Sequence, residues 1–318
     1  ATSNRPIKRV TNVRDRHSPT PPDSPRLPKM GIGSSLPAKG KVVFITGTSR
    51  GIGKTTAEHF EKLGYVVYGS SRQGGGGNPK MLTLDITDPA SCQAAVDEIV
   101  RKEGRLDILV NNASFHCVGC QQEFTIEELR SITDTNYFGT VNMMKAATGQ
   151  MLKQRFGRII NVSSVGGEVG MPFSAGYSGA KHAVTGYSYS VRLELKLYNV
   201  FVSIVSPAGV QTGTLEMGAV TKAAAHGTDP LFATAVEKFY QRYLVPTKED
   251  ESVASTKEQV AAAIEGVAKN ASPKFMNRVG LISGLVMFQK RNRSQAAFEG
   301  FWMGAMGGGM PTKPAVEA

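Results

Sequence analysis

The chain has 318 residues, of which 41% are hydrophobic, enough for a packed globular core. No apolar run approaches the roughly 20 residues needed to span a bilayer as a helix, so the reading is a soluble or peripheral protein. The net charge is +11, but residues 1–41 carry nine Lys/Arg against Asp15 and Asp23, while the other 277 residues carry 28 bases and 24 acids. A body so nearly balanced gives no ground for nucleic-acid binding.

Residues 1–38 hold seven prolines, many Ser/Thr and scattered Arg, without helical or strand periodicity. They read as a disordered or extended basic arm. An Arg- and Ser-rich, acid-poor leader also fits a targeting remnant, which leaves the location cytoplasmic or organellar, in a mitochondrion or plastid. A flexible tail or a strap over a partner subunit are the other readings.

From Lys41 the texture changes. Lys41 to Thr46 is an apolar run that reads as a buried strand. Thr55 to Leu63 reads as a helix stopped by Gly64. Strands are expected at Tyr65 to Ser70, Lys80 to Asp85, Leu106 to Asn111, Arg158 to Val162 and Val200 to Ser206. Helices are expected at Ala90 to Glu103, Ile126 to Met151 (largely) and Gly176 to Tyr198. Strands alternating with helices imply a parallel sheet covered on both faces, an α/β doubly wound, Rossmann-type single domain over residues 39–280. Residues 208–255 break the rhythm and read as a substrate lid. Thr256 to Lys269 is an amphipathic helix with Thr256 as its cap. Lys274 to Gly280 reads as a last strand, and residues 281–318 as a Met/Gly-rich tail with basic residues at Lys290, Arg291 and Arg293. That tail suits a membrane surface, a subunit contact or a loose end equally.

The three cysteines, Cys92, Cys117 and Cys120, are too few and odd in number for a disulfide framework. Cys117 and Cys120 form a lone C-x-x-C with only His116 nearby as a further ligand, so no metal site is expected. A redox-sensitive pair is the minority reading beside two ordinary loop thiols.

Thr-Gly-Thr-Ser-Arg-Gly-Ile-Gly at 46–53 falls between the first strand and first helix, where a doubly wound fold binds phosphate. Glycines let the backbone approach a pyrophosphate, and the helix N-terminus supplies free N–H groups. The second strand ends Gly-Ser-Ser-Arg at 69–72, without the acid that would bind the ribose of NAD. Arg50 and Arg72 suit a 2′-phosphate instead, so NADPH is the expected cofactor and NADH the less favoured one.

These motifs resemble the short-chain dehydrogenase/reductase family, over roughly Lys41 to Gly280. The glycine motif matches at Gly47, Ser49, Arg50, Gly51, Ile52 and Gly53. Asp85, with Ile86 beside it, matches the acid that contacts the adenine. Asn111, Asn112 and Ala113 match the Asn-Asn-Ala-Gly signature, with Ser114 in place of its glycine. Asn136, Ser164, Tyr177 and Lys181 match the catalytic tetrad, and the 13-residue spacing to Tyr177 selects Ser164 over Ser163. Pro207, Gly209, Val210 and Thr212 resemble the turn that closes over the nicotinamide. The resemblance implies hydride transfer between a nicotinamide and a carbonyl or alcohol, with Tyr177 as acid/base, Lys181 as its electrostatic partner and ribose ligand, and Asn136 holding a relay water. Tyr and Lys at i and i+4 share one helix face, and an ammonium there is expected to lower the phenol pKa from about 10.

The Ser-Ser-Val-Gly-Gly run at 163–167 and the closing segment 273–280 are most similar to the branch with 17β-hydroxysteroid and retinol dehydrogenases and acyl-dihydroxyacetone-phosphate reductases. That branch implies a bulky apolar, lipid-like substrate. Met171, Phe173, Leu215 and Met217 are the expected pocket residues beside Ser164 and Tyr177, with ordinary packing as the competing explanation. The family implies a homodimer or homotetramer. A non-catalytic dinucleotide sensor or structural subunit, and an acyl-carrier-linked 3-ketoacyl reductase, are the alternative functions.

Overall fold

A computed structural model describes residues 39–210, 234–236, 238 and 255–305. The expected N-terminal arm, most of the expected lid, and the pocket or cofactor candidates Thr212, Leu215 and Met217 lie outside the described residues. Within them, seven parallel strands form one sheet, ordered β3-β2-β1-β4-β5-β6-β7. They are β1 (Val42–Ile45), β2 (Val66–Ser71), β3 (Met81–Thr83), β4 (Ile108–Asn111), β5 (Gly157–Val162), β6 (Val200–Pro207) and β7 (Met276–Val279). The helices are α1 (Gly51–Lys62), α2 (Pro89–Glu103), α3 (Ile126–Thr133), α4 (Gly139–Lys153), α5 (Ala175–Leu195), α6 (Lys257–Lys269), α7 (Leu281–Asn292) and α8 (Gln295–Ala305).

Alternation along β1 shows how the sequence divides the core. Val42 and Phe44 face the layer of α2, α4 and α5, packing with Cys92, Ile99, Met143 and Leu195. Val43 and Ile45 face α1 and α6, packing with Phe60, Val260 and Ile264. With both faces covered, the central strands β1 and β4 are buried at every position and read as near-continuous apolar runs, Asn111 at the end of β4 being the exception. Each fully buried aliphatic side chain contributes roughly 1.5–3 kcal/mol.

Local signals set the helix ends. Asp88 accepts from Ala90 N at 2.9 Å, Pro89 opens α2, and Gly104 closes it at φ 71°. Thr125 and Glu128 form a reciprocal capping box on α3.

Three differences from the sequence reading concern the site. Helix α1 begins at Gly51, four residues before the expected start, because the glycine turn runs straight into it. The expected long helix from Ile126 is interrupted by a π-turn at Asp134–Phe138. The segment after Gly280, read as a tail, folds into α7 and α8, because Val286, Met287, Phe298 and Trp302 pack against Val165, Val169 and Ala208 beside the sheet's carboxyl edge.

Candidate active site

The carboxyl ends of β1, β2, β4, β5 and β6 open onto one cavity of about 690 Å³. At its floor, Thr46 stitches two motifs together. Its Oγ1 accepts from the backbone N–H groups of Asn112 and Ala113, each at 3.0 Å, and Asn112 Nδ2 donates back to the carbonyls of Thr46 (3.0 Å) and Gly47 (3.1 Å). Gly47 lies at φ +72°, and a Cβ there would stand 2.9 Å from Ala113 Cα, so both the turn and the close approach require glycine. Gly53 is pressed against the Gly47 carbonyl, where a Cβ would come within 2.2 Å, and therefore sits behind the cavity wall.

Gly47, Ser49, Arg50, Gly51 and Ile52 line the cavity as the turn enters α1. Arg50 precedes the helix in extended backbone, with no side-chain cap and no acid in the first turn. The N–H groups and positive dipole end of α1 thus remain for an anion. Ser70, Ser71 and Arg72 continue the wall at the end of β2, followed by Leu84 to Thr87. Asp85 Oδ1 accepts from Thr87 N at 2.9 Å and Thr87 Oγ1 at 2.7 Å. These bonds, opposed by partial burial and assisted by the Arg72 charge, hold its carboxyl below the usual range. Glycine turn, arginine pair, Asp85 and the Asn112–Ala113 edge all line this cavity, a set of groups that fits a nicotinamide dinucleotide.

Of the tetrad candidates, Ser164 and Tyr177 line the cavity, whereas Asn136 and Lys181 are buried and are not part of its lining. The π-turn directs Asn136 inward, where it is fully buried; its Oδ1 accepts from Phe115 N at 3.0 Å and its Nδ2 donates to Phe115 O at 2.8 Å. Ser164, just past β5, accepts from Gly166 N at 3.1 Å. Its side chain is close enough to Tyr177 to favour the ionised phenol, whereas Ser163 Oγ is buried without a hydrogen-bond partner among the described residues. Tyr177, in the first turn of α5, lines the cavity beside Ser164. Lys181 lies one turn further on, its Nζ donating to Val162 O at 2.9 Å and standing 5.7 Å from the Tyr177 ring centroid.

The electrostatics differ from the sequence expectation. Burial pushes Tyr177 up to about 12, against the weaker lowering by Ser164, and pushes Lys181 down to about 8. The expected lowering of the phenol by the ammonium does not contribute here; the ammonium is itself desolvated and donates to the Val162 carbonyl.

Sequence reasoning missed three side chains here. His116 lies against Tyr177, ring centroids 4.1 Å apart, with Nε2 3.0 Å from Ser174 Oγ. Burial and then the Lys181 charge push its pKa down to about 4, so the imidazole is neutral near pH 7. Its signal was a lone histidine three residues beyond the Asn-Asn-Ala run. Val286 and Trp302 join Val165, Met171 and Ala208 as the apolar wall. Trp302, the chain's one tryptophan in an apolar stretch, was the available clue. Phe173, expected in the pocket, instead packs behind that wall with a left-handed backbone (φ 57°) and accepts from Gly119 N at 2.9 Å. Pro207, Ala208, Gly209 and Val210 close the cavity from β6. Among the described residues no three His, Cys, Asp or Glu side chains are grouped to hold a metal. Cys117 and Cys120 are buried thiols, and burial pushes Cys117 up to about 11, away from a reactive thiolate.

The short chain dehydrogenase family model matches residues 41–221. A 3-ketodihydrosphingosine reductase of Bacteroides thetaiotaomicron is 35% identical over 242 residues, which cover 76% of this chain and 88% of that protein. The 3-oxoacyl-(acyl-carrier-protein) reductase FabG of Escherichia coli strain K12 is 36% identical over 183 residues, covering 55% of this chain and 75% of that one. Among solved structures, ElxO with NADP bound superposes with a TM-score of 0.61 at 28% identity, covering 75% of this chain and 96% of ElxO.

Proposed function

The chain belongs to the short-chain dehydrogenase/reductase family, and on that premise we propose that it is an NADPH-dependent oxidoreductase interconverting a carbonyl and an alcohol on an apolar, lipid-like substrate. The observation that carries this reading is the convergence, on one cavity, of the phosphate-type turn at 47–52, the Ser164–Tyr177 pair and the apolar wall of Met171, Val286 and Trp302.

Gly47, Ser49 to Ile52, Arg50 with Arg72, Asp85, Asn112, Ala113 and the Pro207–Val210 edge would hold the dinucleotide. When bound it supplies or accepts the hydride. The protein's part is to polarise and to move a proton. Ser164 donates a hydrogen bond to the substrate oxygen and draws charge toward it. Tyr177 Oη, protonated across neutral pH at about 12, delivers the proton to that oxygen in reduction and takes it back in oxidation. Lys181 places positive charge one helical turn behind Tyr177, and Asn136 braces the loop at Phe115. The apolar wall keeps water from the reacting carbon and accepts an aliphatic or ring system.

The relatives named as reductases of a sphingoid ketone and of an acyl-carrier-bound ketone both support a lipid-like ketone substrate. FabG also favours the acyl-carrier alternative. Comparing NADPH oxidation with a free long-chain ketone and with a carrier-bound 3-ketoacyl chain distinguishes them, the apolar wall favouring the free ketone. Tyr177→Phe tests the chemistry. It should reduce turnover by about a thousandfold or more, within the range general acid catalysis supplies, while NADPH affinity stays within about twofold, as wild-type-like ground-state binding implies. A Tyr177→Phe protein with near wild-type turnover would remove the mechanism.

A further inference from the structure

Helix α7 has two faces with different fates. On one, Ser283 donates to the Ser206 carbonyl at 3.1 Å, and Val286 and Met287 pack into the apolar cluster, Val286 reaching the cavity itself. On the other, Leu281, Leu285 and Phe288 stand at i, i+4 and i+7 and are 71%, 50% and 61% exposed. The charge is one-sided as well. Lys290, Arg291 and Arg293 follow, and no acid occurs from Leu281 through Phe298. Lys290 is held by the Glu168 carbonyl, while Arg291 and Arg293 are exposed and form no ion pair among the described residues.

We propose that this face of α7 docks on an anionic lipid surface, with Leu281, Leu285 and Phe288 entering the headgroup boundary and Arg291 and Arg293 meeting the headgroups. A ridge of large apolar side chains beside a cationic helix end is the pattern of an interfacial helix. A second copy of the chain fits less well, since a two-fold contact through this patch would set its arginines close to their own equivalents. Docking would place lipid one helix diameter, about 10 Å, from the cavity that Val286 lines. That the lipid then supplies the substrate rests on the carbonyl-reductase reading above; the docking itself does not.

Flotation of the full chain with phosphatidylcholine vesicles, with and without roughly a third phosphatidylserine, tests it. The wild type should float with the anionic vesicles and bind the neutral ones at least about tenfold more weakly. Phe288→Glu, and separately Arg291→Gln with Arg293→Gln, should each lower anionic binding by roughly tenfold or more, with unchanged melting curves and oligomeric state. Three outcomes would overturn the proposal: no wild-type flotation, equal flotation of wild type and variants, or variants that only convert a larger assembly into a smaller one. Flotation without ketone reduction would keep the docking and remove the function; reduction without flotation would do the reverse.

Discussion

His116 packs on the Tyr177 ring and bonds to Ser174, the residue just before the helix that carries Tyr177. Among the described residues it has no carboxylate partner, so its burial and then the Lys181 charge disfavour protonation, and the folded pKa of about 4 falls below the ordinary value of 6.5. Between those values the unfolded chain binds the extra proton. Stability from this group is therefore fully present above pH 6.5 and is lost as pH falls through 4, by up to about 3 kcal/mol. Urea unfolding at pH 7 and at pH 4.5, compared between wild type and His116→Phe, should show a smaller loss in the variant, which keeps the ring and lacks the proton site. The same loss in both proteins would show that His116 is not the titrating group. The arginines make a second expectation at this scale. Arg50→Ala with Arg72→Ala should weaken NADPH by about a hundredfold or more, at 1.5–3 kcal/mol per charge-assisted bond, and NADH by only a few-fold since it lacks the extra phosphate. Equal loss for both cofactors in fluorescence titrations would refute the phosphate assignment. Arg50 and Arg72 were legible because the turn and the strand end are fixed by local sequence. His116 was not, because its neighbours Tyr177 and Ser174 come from a helix about 60 positions away in the chain.

At the level of elements, caps and interruptions decide how firmly each piece is placed. Thr256 accepts from Gln259 N at 3.1 Å while Gln259 Oε1 accepts from Thr256 N at 3.1 Å, a capping box that starts α6. The sequence located the cap, and the structure adds Gln259 as its capping-box partner. Helix α6 packs on α1 and on the sheet face away from Tyr177, so its cap bears on stability alone. Thr256→Ala should cost about 1 kcal/mol, read as a lower urea midpoint at unchanged slope, with wild-type turnover at temperatures where the protein stays folded. A matching fall in turnover under those conditions would show that α6 is coupled to the site. The π-turn at Asp134–Phe138 was the least legible element. Its residues have no composition of their own, and only the i→i+5 bonding distinguishes them from α-helix. Yet the turn sets the direction of Asn136, whose amide ties the helix to the Phe115 loop.

The molecule gathers its candidate site at the carboxyl edge of the sheet and walls it with α7 and α8. The alternation of strands and helices, and hence the sheet, was readable because a buried parallel sheet demands runs of apolar residues that local sequence displays. The closing wall was not, because α7 and α8 gain their stability from Val165, Val169 and Ala208 in distant segments rather than from a local pattern. Glu168, between those two valines, bonds to Ser206 at 2.9 Å and pairs with Arg278 on β7, so the floor and the closing segment are joined by charge as well as packing. If the proposed carbonyl chemistry holds, α7 should influence which substrates fit, because Val286 lines the cavity, without touching Tyr177. Val286→Phe projects a larger side chain from α7 into the cavity beside Met171 and Val165. For a bulky apolar ketone it should lower kcat/KM by tenfold or more, the scale on which a few methylene groups are discriminated. A small ketone should be reduced at nearly the wild-type rate, and NADPH affinity should be unchanged, because Val286 belongs to the apolar cluster and not to the residues proposed to hold the dinucleotide. Because overpacking also costs about 1–3 kcal/mol of stability, the informative quantity is the ratio of the two ketones' kcat/KM in one preparation, which unfolding cannot alter. A ratio equal to the wild type's would mean that the substrate does not reach α7, and the apolar wall would then belong to packing alone.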